Sequence, residues 1–186
     1  MNFDKLNTLV ETSFDESKVG NSLESLIEEL ESKNFSSFTL DRLEDDELTG
    51  EFYGSKPYSM TVKEEKDGVM HEKKIFRAEC IIVNSSDEEY LRFHLNLKSV
   101  DAVQKDVSSK STLAKTIRSL FKCLGLKWSE SHNNLDKLYL QEIFDTIEGT
   151  VFTVTGKQAG VYQGSAYYFC EFLDYERDEE DFVEQM

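Results

Sequence analysis

Residues 73–98 read KKIFRAECIIVNSSDEEYLRFHLNLK and form two runs of strand-forming residues separated by a polar break. In the second run, apolar residues occupy every second position from Leu91 to Leu97. The residues that alternate with them or follow them are Arg92, His94, Asn96 and Lys98. Because neighbouring side chains of a strand point to opposite faces, one face is core and the other is polar with some positive charge. The stretch predicts an antiparallel hairpin that pairs Phe76–Val83 with Tyr90–Lys98.

Charge is unevenly distributed along the 186 residues, which have a net charge of −16. Residues 1–49 contain 13 acidic and 4 basic residues, residues 50–173 contain 17 and 16, and residues 174–186 contain 7 and 1. A nearly neutral body therefore lies between two acidic ends. The length suits one domain with a substantial core, so we expect an acidic helical leader (1–47), one domain (48–173) and an acidic disordered tail (174–186).

Cysteine usage and hydropathy indicate the cellular compartment. The three cysteines Cys80, Cys123 and Cys170 are far apart and lie in apolar runs, which is typical of buried free thiols in a reducing compartment. The chain opens without a signal-peptide pattern and contains no apolar run of about 20 residues. We therefore expect a soluble cytoplasmic protein, in a host cell if the gene is viral.

The periodicity of apolar residues predicts the order of elements along the chain. The run Asp41–Glu47 is predicted to be a solvated connector, and Asp67-Gly68 to be a tight turn. Predicted helices cover Phe3–Val10, Ser22–Leu30, Thr112–Gly125 and Asn134–Ile147. Predicted late strands cover Thr150–Gly156 and Ala166–Leu173, joined by the connection Lys157–Gly164. With one bent strand or two short ones in Glu51–Lys63 and the hairpin, this pattern predicts an α+β fold.

Catalytic and metal-binding patterns are absent from the sequence. His71, His94 and His132 have no histidine or cysteine at a metal-ligand spacing, and Thr155-Gly-Lys-Gln lacks the other residues of a phosphate-binding loop. The sequence therefore predicts a protein that is not an enzyme and that carries no cofactor and no metal.

Aromatic and basic residues interleave on the predicted strands and loops. Bases stack on aromatic rings, and lysine and arginine neutralise phosphates, so this composition suits single-stranded nucleic acid. The predicted DNA-binding residues are Lys56, Tyr58, Lys73, Lys74, Arg77, Arg92, His94, Lys98, Lys157, Tyr162 and Tyr168. Of these, Tyr58, Tyr162 and Tyr168 are expected to stack on bases and the others to meet phosphates.

The acidic tail is predicted to bind a partner protein. An aromatic residue among carboxylates suits an apolar pocket with a basic rim. The predicted partner-binding residues are Asp178, Glu179, Glu180, Asp181 and Phe182. The same tail can also compete with nucleic acid for the basic residues of its own chain. The alternative is a tail that serves only to increase solubility.

The order of strand, hairpin, helical insertion and closing strands resembles phage-encoded single-stranded-DNA-binding proteins with an OB-type barrel. The resemblance covers roughly residues 48–186 and is carried by Glu148–Lys157, Gly160–Tyr162 and Tyr167–Phe172, followed by acids. It implies a five-stranded, partly open antiparallel barrel with a two-helix insertion. It also implies sequence-nonspecific binding of single-stranded DNA in phage replication or recombination, and a tail that recruits replication or recombination proteins. A homodimer is compatible with it.

The strong negative charge supports a competing hypothesis. The protein would act as an acidic inhibitor or DNA mimic that binds a host nuclease or another nucleic-acid-binding protein, with residues 1–47 as the active part. A third alternative is an enzyme subunit without an active site of its own.

Overall fold

The computed structural model describes residues 23–97, 111–127 and 137–177. The α+β prediction is confirmed, because these residues form one curled sheet and three α-helices. The elements are α1 (Glu24–Ser32), β1 (Ser36–Phe38), a 3-10 helix (Leu40–Leu43), β2 (Leu48–Gly54), β3 (Tyr58–Lys66), β4 (Val69–Asn84), β5 (Glu89–Leu97), α2 (Thr112–Cys123), α3 (Lys137–Ile147), β6 (Val151–Tyr162) and β7 (Ser165–Tyr175).

The predicted pairing of the central hairpin is confirmed for the described residues 76–83 and 90–97. Strands β4 and β5 are antiparallel, with Phe76 opposite Leu97 and Val83 opposite Tyr90. Strands β2 and β3 both pair with the other edge of β4, separated by a break at residues 55–57. The turn between β3 and β4 consists of two residues, Asp67 and Gly68, both with positive φ (53° and 76°), as the Asp-Gly pair predicts.

In the described part of the chain the sheet has seven strands, where five were predicted. Its order is β1-β5-β4-β2-β6-β7, with β3 attached to β4, and only the β1–β5 pair is parallel. Two features account for the additional strands. The segment Glu51–Lys63, predicted as one bent strand or two short ones, forms two strands separated by residues 55–57. Strand β1 is only three residues long, too short for its alternation to be recognised.

The two faces of the sheet are covered by different helices. On the inner face, Phe52 of β2 and Phe93 of β5 belong to a core that includes Ile117 of α2 and Phe144 of α3. The rings of Phe52 and Phe144 are 5.4 Å apart, within the range of favourable aromatic contacts. On the outer face, α1 packs on Ile81 and neighbouring residues of β4 and β5 through its own apolar residues.

Helix α2 covers part of the edge of β7. It packs against β7 and also against β5, so it spans the open side of the curled sheet. The Ser119 hydroxyl accepts a hydrogen bond from the backbone N–H of Phe172 (3.1 Å) and lies 3.4 Å from the carbonyl oxygen of Cys170. A side chain of α2 thus satisfies edge groups that another strand would otherwise pair with.

Two predicted connections are refined by the structure. The charged residues of the Asp41–Glu47 run are exposed, as a solvated connector requires, but Leu43 is buried. The Thr155 hydroxyl also lies within hydrogen-bonding distance of the carbonyl oxygens of Leu43 (2.9 Å) and Asp46 (2.6 Å). Most of Lys157–Gly164 is strand, and its turn is confined to Gln163-Gly164. Its glycines suggested a loop, whereas Gly160 instead leaves room for the ring of Tyr167.

Candidate nucleic-acid interface

Three of the predicted binding residues come together on the outer face of β4 and β5. We call Arg77, Arg92 and His94 the basic row. In the sheet register Arg77 lies opposite Asn96, and His94 lies opposite Glu79. The alternation of β5 places Arg92 and His94 away from the apolar side chains that enter the core, as predicted. Arg92 and His94 are exposed, and Arg77 is half-buried.

Both arginines of the basic row are oriented by neighbouring side chains. Arg92 donates two hydrogen bonds to one carboxylate oxygen of Glu79, from Nη2 (2.7 Å) and from Nε (3.2 Å). Arg77 donates from Nε to the side-chain oxygen of Asn96 (2.9 Å). These contacts fix the positions of the guanidinium groups and, at Arg92, offset part of the positive charge.

His94 adds little charge to the basic row at neutral pH. Although the side chain of His94 is exposed, the atoms packed around it reduce its hydration, and this lowers its pKa below the ordinary value of 6.5. The positive charges of Arg77 and Arg92 lower the pKa further, while Glu79 acts in the opposite direction. With two arginines, a neutral His94 and the Glu79 carboxylate, the cluster has a net charge of about +1 at pH 7. This charge is smaller than the sequence suggested.

A groove of about 890 Å³ adjoins the basic row. Helix α1 forms one wall, with Leu23 and Ile27 among its contributing residues, and the break between β2 and β3 forms another with Lys56 and Tyr58. Arg92 and Glu79 also line the groove. The side chain of Tyr58 is available to a ligand, since the residue is 42% exposed. Two more predicted residues, Lys56 and Tyr58, therefore lie at the same place as the basic row.

Within the described part of the chain, the remaining predicted DNA-binding residues lie on two hairpins that extend past opposite ends of β2. Lys74 is exposed on the hairpin of β3 and β4, where the backbone of Lys73 also lies. Lys157, Tyr162 and Tyr168 lie on the β6–β7 hairpin. The register of the sheet does not bring these two groups beside the basic row.

The residues of the β6–β7 group differ in their contacts. Tyr162 is 70% exposed. Lys157 is also exposed, but it forms an ion pair with Glu171 (3.3 Å) that offsets its charge. The hydroxyl of Tyr168 donates a hydrogen bond to the Glu44 carboxylate (2.8 Å), which holds the ring against the segment before β2. Tyr168 is therefore less suited to stack on a base than its neighbours on this hairpin.

Val161 and Tyr167 were not among the predicted DNA-binding residues, although they are 63% and 39% exposed on the same hairpin. The sequence feature that could have identified this surface is its lack of charged residues. Residues 158–170 contain no charged side chain, although 31% of the chain is charged. An uncharged segment with exposed aromatic residues on an acidic protein is a candidate contact surface.

Several predicted residues lie outside the part of the chain that the structure describes. They are Lys98, Asp178, Glu179, Glu180, Asp181 and Phe182. The side chain of Lys73 is likewise outside it. The predictions for the tail and for Lys98 therefore stay predictions.

A search of the described residues finds no cluster of three or more histidine, cysteine, aspartate or glutamate side chains placed to hold a metal ion. Among the same residues, no helix combines the length and apolar character needed to cross a membrane. Comparison with known proteins found no match to a protein family, to a curated protein or to a solved structure.

Proposed function

We propose that this protein binds single-stranded DNA along the outer face of β4 and β5, with broad tolerance of sequence. The observation that carries the proposal is the adjacency of the basic row to a groove that presents an exposed tyrosine. Arginine neutralises phosphate charge, and an exposed ring stacks on any base, which together give sequence-tolerant binding.

The connections between strands support this proposal. If the interrupted β2–β3 run is counted as one strand, the chain continues through β4, β5, two helices, β6 and β7, with sheet order β5-β4-β2-β6-β7. In an OB-type barrel, oligonucleotides bind the second and third strands and the loops beside them. By this count the second and third strands are β4 and β5. The turns that correspond to the binding loops of the barrel are Asp67-Gly68 and Gln163-Gly164.

The cellular role that accompanies this proposal comes from the resemblance alone. It comprises phage DNA replication or recombination and a C-terminal tail that recruits partner proteins. A homodimer is compatible with the same proposal, and none of these points is needed for the binding face itself.

Binding is tested with fluorescently labelled oligo-dT and duplex DNA at two salt concentrations. Arg77→Gln should weaken oligo-dT binding several-fold and reduce the salt slope by about 0.7, the value for one phosphate contact on a single strand. Lys127→Gln is the matched control, because Lys127 is exposed just after α2. No binding at low salt would refute the function, and equal losses in the two variants would refute the face.

A second candidate function is the acidic inhibitor or DNA mimic. Its specific support is α1, whose four glutamates, Glu24, Glu28, Glu29 and Glu31, are all exposed. The inhibitor hypothesis predicts that the protein binds neither single-stranded nor duplex DNA. It also predicts that Glu28→Gln combined with Glu31→Gln weakens binding to a basic nuclease, without changing the fold.

A further inference from the structure

We infer that the groove at the β2–β3 break holds one unstacked base of the bound strand and favours guanine there. This inference rests on the proposed function and adds a preference at one position to a binding mode that otherwise tolerates any sequence. It is carried by the Glu79 carboxylate and by the side chains that surround it in the groove.

Glu79 is held from both its backbone and its side chain. Its backbone N–H donates to the Ser55 hydroxyl (2.8 Å), and its carbonyl oxygen accepts from the Ser55 N–H (2.8 Å). Both hydrogen bonds from Arg92 go to Oε1. Among the described residues no donor is bonded to Oε2. A fixed carboxylate with an unused acceptor atom therefore lines the groove.

The rest of the groove suits a base and its sugar. The apolar residues Leu23, Ile27 and Pro57 line the groove, of which Ile27 is partly exposed, and Tyr58 provides an exposed ring. Lys56 is exposed at the break, where it can meet a phosphate beside the base. The volume of about 890 Å³ falls in the range of small-molecule pockets.

Hydrogen-bond chemistry selects the base. A carboxylate only accepts hydrogen bonds, so it favours a base edge with adjacent N–H donors. Guanine presents N1–H and the N2 amino group side by side, and both can donate to the unused Oε2, as Nε and Nη2 of Arg92 both donate to Oε1. Thymine presents a single N–H between two carbonyl oxygens, which a carboxylate repels. Adenine and cytosine, with one amino group beside an acceptor, fall between them.

The test uses four DNA strands of 11 nucleotides. Ten of the nucleotides are always thymidine, and only the central base varies among G, A, C and T. Wild-type protein should bind the central-G strand about fivefold or more tightly than the all-T strand, the discrimination typical of a good bidentate contact. Glu79→Gln should reduce this ratio to less than about twofold. It should also steepen the salt dependence, because Arg92 loses its carboxylate partner.

Two further variants keep the test decisive. Glu72→Gln makes the same charge change at an exposed position of the β3–β4 hairpin and should keep the wild-type ratio. Tyr58→Leu should weaken binding of all four strands by one common factor. Equal affinities of wild type for the four strands, or no effect of Tyr58→Leu, would overturn the inference and leave the function standing. No binding to any strand would refute the function itself.

Discussion

The hydroxyl of Ser119 should be one of the more valuable single groups for stability, because it completes an edge of the sheet. It accepts from the backbone N–H of Phe172 (3.1 Å) and donates to a carbonyl oxygen, that of Thr116 (2.8 Å) or of Cys170 (3.4 Å). Phe172 is 5% exposed, so water does not readily replace the lost acceptor. Ser119→Ala should therefore leave a buried N–H unsatisfied.

The size of the effect follows from two opposing contributions. An unsatisfied buried donor costs about 1–3 kcal/mol. Alanine has a higher helix propensity than serine, and this recovers about 0.5 kcal/mol in the middle of α2. The free energy of unfolding should fall by about 0.5–2.5 kcal/mol. With a urea m-value of about 2 kcal/mol/M, the midpoint of unfolding should fall by about 0.25–1.25 M.

Urea unfolding followed by circular dichroism measures this change. The matched control is Ser32→Ala, since Ser32 also donates to a carbonyl oxygen three residues earlier in a helix but is exposed. The control should shift the midpoint by less than about 0.25 M, equivalent to about 0.5 kcal/mol. Ser119→Thr keeps the hydroxyl and should lie closer to wild type than Ser119→Ala. Equal midpoints for Ser119→Ala and Ser32→Ala would show that α2 does not protect this edge.

Three other predictions concern the described core and the basic row. Thr155→Val removes the hydroxyl beside the carbonyl oxygens of Leu43 and Asp46, so it should lower the free energy of unfolding in urea by about 1 kcal/mol. The control Thr153→Val loses only an exposed hydrogen bond to Thr49 and should lower it by less than half as much. Burial raises the pKa of Cys123 to about 11, and it raises those of the fully buried Cys80 and Cys170 well above their ordinary value. At pH 8 a thiol reagent should therefore react slowly with Cys123 and not with the other two thiols. After urea unfolds the chain, all three thiols should react. Because the pKa of His94 is lowered in the folded state, the unfolded chain binds its proton first, and stability should fall as pH drops from about 6.5 to the lowered value. His94→Gln should lose this part of the pH dependence, and an unchanged profile would contradict the assignment.

Local signals predicted the central hairpin and several boundaries correctly. Alternation from Leu91 to Leu97 fixed which residues enter the core, because one face of β5 is fully covered. Asp67-Gly68 and Gly125 adopt the positive φ angles that a tight turn and a helix end require. These features depend on residues close together in the chain, so sequence reasoning can identify them.

The features that were missed depend on contacts between distant segments. Strand β1 exists because Ser36–Phe38 lies beside β5, and its own composition carries no strand signal. The charged segment around Leu43 is ordered by Thr155, more than a hundred residues later. Helix α1 was predicted, but its position over Ile81 depends on how the sheet curls.

The candidate site shows the same division. The basic row was predicted from alternation within β4 and β5. Its partners Glu79 and Asn96 were visible in the sequence, but their effect follows from the register that places them across from His94 and Arg77. The groove was not predictable, because α1 and the β2–β3 break meet only in the folded chain.

The pairing of β2 with β6 has a consequence for the order of folding. Strands β3, β4 and β5 follow one another through short turns, so their pairing closes only small loops and should form early. Thr49 and Thr153 are paired across 104 positions, and such non-local pairing is slow. During synthesis, β2, which includes Phe52, has one edge unpaired until β6 emerges from the ribosome. We therefore expect the late strands to set the folding rate, and this exposed edge to be the point at which unfinished chains aggregate.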